Sequence, residues 1–147
     1  MCGICGIFGN EIQGVSETQL NVMVRRLRPR GPDGEGIFID QNKFAYLGHT
    51  RLSIVDPSEA GSQPFHLHHL HLIANGEIYN YKNLISYLGK DYSDCGDTKV
   101  VLDLITKYGI EFCLNLFKGM FSIIILDKNK ESIYLLRDGF GTKPLYI

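Results

Sequence analysis

Along this chain the spacing of apolar positions changes several times, and each change marks a new element. Ile4-Cys5-Gly6-Ile7-Phe8 is a short apolar run flanked by Gly3 and Gly9, which predicts a strand. Ser16-Glu17-Thr18-Gln19 has the form of a capping box, with Ser16 as N-cap and Gln19 reaching back. Leu20, Met23, Val24 and Leu27 follow at helical spacing as one apolar stripe, and Pro29 stops the helix. Beyond the turn cluster Arg30-Gly31-Pro32-Asp33-Gly34 the pattern alternates. Strands are expected at 36–40, 44–49 and 51–55, the first pair joined around Gln41-Asn42.

The segment 57–64 is rich in turn formers and reads as a loop. The run from His66 to Asn75 reads as one strand, with His69 and His71 on one face and Leu70 and Leu72 on the other; Asn75-Gly76-Glu77-Ile78-Tyr79-Asn80 closes it. A short helix follows with Tyr81, Leu84, Ile85 and Leu88 inward. Asp97-Thr98 is placed to cap a longer one, striped by Val100, Val101, Leu104, Ile105 and Tyr108 and ended by Gly109. A further amphipathic piece spans 110–117. Met120 to Leu126 is almost wholly apolar, which predicts a strand covered on both faces. Asp127-Lys128-Asn129-Lys130 is a hairpin turn into a last strand at 132–137. Two helical groups and about seven strands, largely antiparallel, imply an α+β protein of layered sheets and helices.

Composition narrows the function. At 147 residues the chain is one domain, and 44% apolar with 21% charged residues excludes disorder. A net charge of −1 gives no reason to expect nucleic acid or an acidic membrane surface. There is no apolar run of bilayer length, and no charged segment preceding an apolar leader. Four unclustered cysteines suggest reduced thiols and a cytoplasmic setting. Four of the five histidines fall in the 66–71 run, but no carboxylate or cysteine is near in sequence to complete a ligand set, so no metal is expected. Cys2-Gly3-Ile4-Cys5 is a CxxC spacing without the second ligand pair or βαβ context of a zinc or redox site.

Cys2 carries the candidate chemistry. Removal of Met1, which a side chain as small as cysteine permits, gives Cys2 a free α-amine beside its own sulfur. Such an amine titrates at about 7.7–8.0 and a thiol at about 8.5, so nucleophile and base share one residue. The plainer alternative is that Cys2 and Cys5 are small buried residues opening a strand. Asn75-Gly76 likewise has the form of a two-residue hairpin turn.

Five segments in order and spacing, Met1-Cys2-Gly3-Ile4, Arg30-Gly31-Pro32-Asp33, Arg51-Leu52-Ser53-Ile54-Val55-Asp56, Asn75-Gly76-Glu77-Ile78-Tyr79-Asn80 and Arg137-Asp138 with Lys143-Pro144-Leu145-Tyr146, carry a resemblance. The chain resembles the class II glutamine amidotransferase domain of glutamine-dependent asparagine synthetases over essentially its whole length. The resemblance implies an N-terminal nucleophile hydrolase fold, two stacked antiparallel sheets between helical layers. It implies that Cys2 attacks the glutamine side-chain amide and forms a thioester, with the Asn75 side chain and the Gly76 backbone N–H as oxyanion donors. Arg51 would hold the substrate carboxylate, Asp97 with Glu77 its ammonium, and backbone groups of Ile54 and Val55 would complete the pocket. Arg30 and Asp33 are expected to be structural members of a loop near the nucleophile.

By the same resemblance, glutamate and ammonia are the products, and the glutaminase step uses no cofactor. The ammonia goes to a synthetase domain or subunit, where ATP and magnesium belong; a homo-oligomer is a further expectation. Two departures stand out. Lys99 occupies a position that is usually glutamate, and the chain stops short of the family's last sheet strands and of its synthetase domain, so that asparagine synthesis is not expected of this chain by itself. The rival expectation is a non-catalytic binding module or a truncated fragment.

Overall fold

The computed structural model describes residues 1–9, 16–40, 44–54, 58–89, 92 and 95–147. In chain order these form β1 (Gly3–Phe8), α1 (Glu17–Leu27), β2 (Gly34–Ile39), β3 (Ala45–Arg51), β4 (Phe65–Leu67) and β5 (Leu70–Ile78), then α2 (Tyr81–Leu84), α3 (Asp97–Tyr108), α4 (Ile110–Leu114), β6 (Gly119–Asp127) and β7 (Ser132–Arg137). One antiparallel sheet has the order β1-β3-β2 and the other β4-β5-β6-β7. The α+β class with two antiparallel sheets is therefore what the pattern predicts.

Alternation along the strands sets the layers. On β3, Ala45 and Leu47 point one way and meet Ile73 of β5 and Ile124 and Leu126 of β6, so the two sheets stack on an apolar layer. Tyr46 points the other way, onto Leu20 and Val24 of α1. The opposite face of the second sheet, with Leu72, Ile123 and Ile125, packs on Val100, Val101 and Leu104 of α3. Strand β6 is thus buried on both faces, as its unbroken apolar run requires. Each of these large side chains contributes roughly 1.5–3 kcal/mol by leaving water.

Helix α1 starts where its capping box places it. Gln19 N donates to Ser16 Oγ at 3.3 Å, and Ser16 N donates to Gln19 Oε1 at 2.8 Å. Thr50 Oγ1 closes its far end by donating to Leu27 O at 3.2 Å.

Several expectations are corrected. The strand expected at 51–55 is not seen over 52–54: β3 runs on through Thr50 to Arg51, and the chain then leaves the sheet as the Asp33 carboxylate takes the Ser53 amide at 2.7 Å; Val55 lies outside the described residues. The histidine run is a hairpin, reversing at His68 (φ 54°) and His69, because Leu67 pairs with Leu70 and both find apolar cover. His66 and His71 therefore face each other with ring centroids 5.8 Å apart, in place of the expected pairing of His69 with His71, and Phe38 stacks on His71 at 3.8 Å. Gly96 is the N-cap of α3, with Asp97 the first helical residue. Of the amphipathic piece at 110–117, Ile110–Leu114 is helical. The Gln41-Asn42 turn lies outside the described residues.

After β7 the chain wraps around one carboxylate. Asp138 Oδ1 accepts from the Phe140 and Thr142 amides at 3.1 and 2.9 Å, and Oδ2 from the Phe121 and Lys143 amides at 3.2 and 3.0 Å. Burial alone would raise its pKa, but these donors outweigh that and hold it down at about 2. An unfolded aspartate titrates at about 3.9, so the stabilisation is complete above that value and is lost as pH falls towards 2. Asp138→Asn, which sets an N–H2 against amide donors, is expected to cost about 2 kcal/mol at pH 7. It should also flatten the loss of stability between pH 4 and 2. Urea unfolding at pH 7 and pH 3 reads both, and an unchanged pH 7 midpoint would remove Asp138 from this role.

Candidate active site

The site is assembled at the end of β3. Arg30 Nε donates to Cys2 O at 3.2 Å, and Asp33 N donates to Arg51 O at 2.9 Å, so the 30–33 loop clamps the start of one strand to the end of its neighbour. A Cβ at Gly31 would lie 2.5 Å from Thr50 C and 2.6 Å from Arg51 N, so only glycine allows this close approach. The Cys2 thiol consequently sits on the chain leaving β3: Leu52 N donates to its Sγ at 3.4 Å, and the thiol faces Leu52 O at 3.8 Å. The Met1 sulfur rests against the amine of buried Lys143.

Cys2 opens onto a narrow cleft of about 70 Å³ that Arg51, Gly76 and Asp97 also line, together with Gly61, Gln63 and Phe65. Roomier hollows lie elsewhere, along β1 beside residues 144–147, next to His69, and between the 60–66 segment and the start of α3. The cleft beside Cys2 is small, but it alone joins a thiol to an arginine and a carboxylate among the described residues. Cys5, by contrast, packs under α1, and burial pushes its thiol up to about 11; Cys113 is pushed to about 11 in the same way.

The wall facing the thiol is the 58–65 segment. Arg51 Nη1 donates to Ser58 O at 2.7 Å and to Ser62 Oγ at 3.4 Å, and Ala74 N donates to Gln63 Oε1 at 2.6 Å. Asp97 forms another wall and is 9% exposed. Its Oδ2 accepts from Ile78 N and its Oδ1 from Thr98 N, both at 2.8 Å, which ties the start of α3 to the end of β5. Burial raises its pKa although these N–H donors pull the other way.

Asn75 and Gly76 do not form a turn. They lie inside β5, opposite Ser122 and Phe121 of β6. Gly76 has φ +150° and borders the cleft, whereas Asn75 is 5% exposed. Asn75 Oδ1 is buried without a hydrogen-bond partner among the described residues.

Of the other expected site residues, Glu77 and Ile54 are not on the cleft. Glu77 is half-buried in a small recess shared with Gly76, Asp97 and Thr98. Ile54 is 72% exposed, and Val55 lies outside the described residues. Lys99 turns along its own helix to pair with Asp103. Sequence reasoning passed over His49 and Ser122, buried polar residues at inward positions of otherwise apolar strands, Ser122 being the cross-strand partner of Asn75. Among the described residues no group of three metal-binding side chains occurs, and no helix is long and apolar enough to cross a membrane. Chemically, a cleft with a guanidinium and a carboxylate on its walls complements a small zwitterion, and a thiol beside it can attack a carbonyl carbon.

The family profile of the glutamine amidotransferase domain matches residues 1–147. The putative asparagine synthetase [glutamine-hydrolyzing] 2 of Methanocaldococcus jannaschii is 39% identical over 166 residues, covering 99% of this chain and 32% of that protein. Asparagine synthetase [glutamine-hydrolyzing] 2 of Oryza sativa is 36% identical over 151 residues, covering 100% of this chain and 25% of its own length. The amidase chry2 of Gibberella zeae is 36% identical over 134 residues, 88% of this chain and 19% of that protein. The chain thus spans between a fifth and a third of the relatives it matches. Since the match runs from the first residue to the last, this chain belongs to the glutamine amidotransferase domain family.

Proposed function

We propose that this chain catalyses the glutaminase half-reaction of an asparagine synthetase-type amidotransferase, with Cys2 as nucleophile. The observation that carries the reading is that Cys2, Arg51 and Asp97 line one cleft. Loss of Met1 frees the Cys2 amine, which takes the thiol proton while sulfur attacks the amide carbon of glutamine. The oxyanion is met by the Gly76 backbone N–H and the Asn75 side chain, each such donor being worth about 10²–10³ in kcat. The carbon–nitrogen bond breaks, the amine returns the proton, and ammonia leaves. Water then cleaves the thioester to give glutamate. Arg51 holds the α-carboxylate, while Asp97 with Glu77 holds the ammonium; backbone groups of Ile54 and Val55 close the pocket. No metal or cofactor enters these steps.

In this reading ammonia passes to a synthetase acceptor, in keeping with the names of the relatives and with their greater length. Release of glutamate from glutamine by the purified protein tests the reaction. A glutamine analogue with an electrophilic carbon in place of the amide should label Cys2 and leave Cys5, Cys95 and Cys113 unmodified. Absence of turnover together with absence of labelling would leave only a non-catalytic amidotransferase-like domain.

Asp97 gives a pH prediction. A carboxyl whose pKa is raised by burial becomes neutral at a higher pH than an ordinary aspartate. Neutral Asp97 loses its attraction for the substrate ammonium, so kcat/KM should fall on the acid side, starting above the usual carboxylate range. Asp97→Asn should raise KM roughly tenfold or more and remove that acid limb. If KM for glutamine is unchanged in Asp97→Asn, the ammonium is held elsewhere.

A further inference from the structure

The layer between the sheets changes character along its length. At one end it is apolar, with Ala45, Leu47, Ile73, Ile124 and Leu126. At the other, next to Cys2, the inward positions of the same three strands carry His49 on β3, Asn75 on β5 and Ser122 on β6. Asn75 and Ser122 are direct antiparallel partners, which sets their Cβ atoms about 5 Å apart on one face. His49 follows Ala45 and Leu47 in the alternation of β3, is paired with Ile4 of the same inner layer, and has the Ala74 backbone beside its ring, outside hydrogen-bonding geometry.

These side chains are more deeply buried than any polar group on the cleft: His49 and Ser122 are 0% exposed and Asn75 is 5%. Both ring nitrogens of His49, Asn75 Oδ1 and Ser122 Oγ lack hydrogen-bond partners among the described residues. Four polar atoms are thus gathered in one closed layer, where an unmade hydrogen bond is costly. None of the four bonds another in this arrangement, so a link between them needs a small side-chain rotation or one ordered water. Burial, reinforced by the charge of Arg51 and opposed by the Ala74 backbone, pushes the His49 pKa down to about 4. The ring is therefore neutral at working pH, with one N–H to give and one nitrogen to accept.

This matters because a side-chain amide has two ends. Only the N–H2 end of Asn75 can stabilise an oxyanion; turned over, it would set a carbonyl oxygen against the developing charge. Something in the interior has to hold the Oδ1 end. We propose that His49 is the positioning residue that fixes this orientation, its ring N–H and the Ser122 hydroxyl holding Asn75 Oδ1 inward so that Nδ2 faces the cleft. The inference rests on the reading of Asn75 as an oxyanion donor.

The test compares His49→Leu, His49→Gln and Ser122→Ala in the whole protein, by glutamine kinetics and by the side-chain N–H2 signals of ¹⁵N-labelled Asn75. His49→Leu should lower kcat by roughly tenfold to a hundredfold, short of the full loss of an oxyanion donor, with KM within about twofold. His49→Gln, which keeps an N–H donor at similar reach, should recover most of that loss, and Ser122→Ala should fall between the wild type and His49→Leu. The Asn75 signals should shift and broaden in His49→Leu and return in His49→Gln.

Unchanged kcat and unchanged Asn75 signals in a folded His49→Leu protein would overturn the proposal, as would a rise in KM alone. If His49→Leu does not fold, Ser122→Ala decides: wild-type kcat with wild-type Asn75 signals counts against it. Should the wild type fail to hydrolyse glutamine, the proposed function falls, while the Asn75 signals still report whether His49 holds the amide.

Discussion

Replacing Cys2 by alanine is expected to abolish glutamine hydrolysis, by at least about 10⁴-fold, while leaving the fold in place. In the proposed mechanism Cys2 is the nucleophile of a covalent route, and deleting it would leave only the small part of the rate that the remaining donors and binding groups sustain. The fold survives because the thiol holds so little of it. It is half-buried, and its hydrogen bonds among the described residues are two long ones to the Leu52 backbone, at 3.4 and 3.8 Å. Its removal should cost about 1 kcal/mol or less. Cys5→Ala is the control: that thiol packs beneath α1, away from the cleft, so activity should survive it. Thermal unfolding and glutamate release on both variants separate the two effects. A Cys2→Ala protein that hydrolyses glutamine at the wild-type rate would end the nucleophile assignment. Intact mass is the companion measurement, because retention of Met1 blocks the amine that the mechanism uses as its base.

Gly76→Ala carries the largest expected effect on stability. Its backbone, at φ +150°, lies in a region that side-chain-bearing residues rarely adopt, at a cost of about 1–3 kcal/mol. A Cβ there would stand 2.1 Å from Met120 O and 2.6 Å from Phe121 Cα, both main-chain atoms of the neighbouring strand that have no rotamer to escape into. Relief would require β5 and β6 to separate within their ladder, where Gly76 is paired with Phe121. Overpacking of this kind typically costs a further 1–3 kcal/mol or so. A total of roughly 3 kcal/mol or more should appear as a large drop in the urea midpoint, and any folded fraction should have weak activity because the Gly76 N–H has moved. Wild-type stability in Gly76→Ala would mean that the strands do not approach so closely there.

The helical signals were legible because they are local. The Ser16–Gln19 box forms both of its bonds, and Gly109, at φ +84°, ends α3 where its apolar stripe stops. The doubly buried strand β6 was legible for a different reason: a run without polar interruptions has no face to offer water. Strand limits were harder. A turn inside the histidine run could not be told from alternation, since Leu67 and Leu70 satisfy an apolar register whether the chain continues or reverses. Asn75-Gly76 has the local form of a turn, and its place within a strand is settled by pairing with Ser122 and Phe121, far along the chain. Asp97 has the form of a cap, yet its carboxylate is used to hold the Ile78 amide of another element.

The motif residues divide in the same way. Cys2, Arg51, Gly76 and Asp97 do share a cleft, as the resemblance implies, and Arg30 and Asp33 do clamp the loop beside it. Ile54 is turned out to solvent, and Lys99 is taken up by Asp103.

Taken alone, the sequence determined the class of fold and the family that the chain belongs to, because caps, apolar periods and short motifs are properties of neighbouring residues. The tertiary structure decided which polar residues meet. His49, Asn75 and Ser122 are separated along the chain and share a closed layer only because three strands from two sheets stack there, and Asp97 reaches the cleft only because α3 is fastened to the end of β5. Burial and charge act through space, so a residue's neighbours in the fold, more than those in the chain, set what it can do.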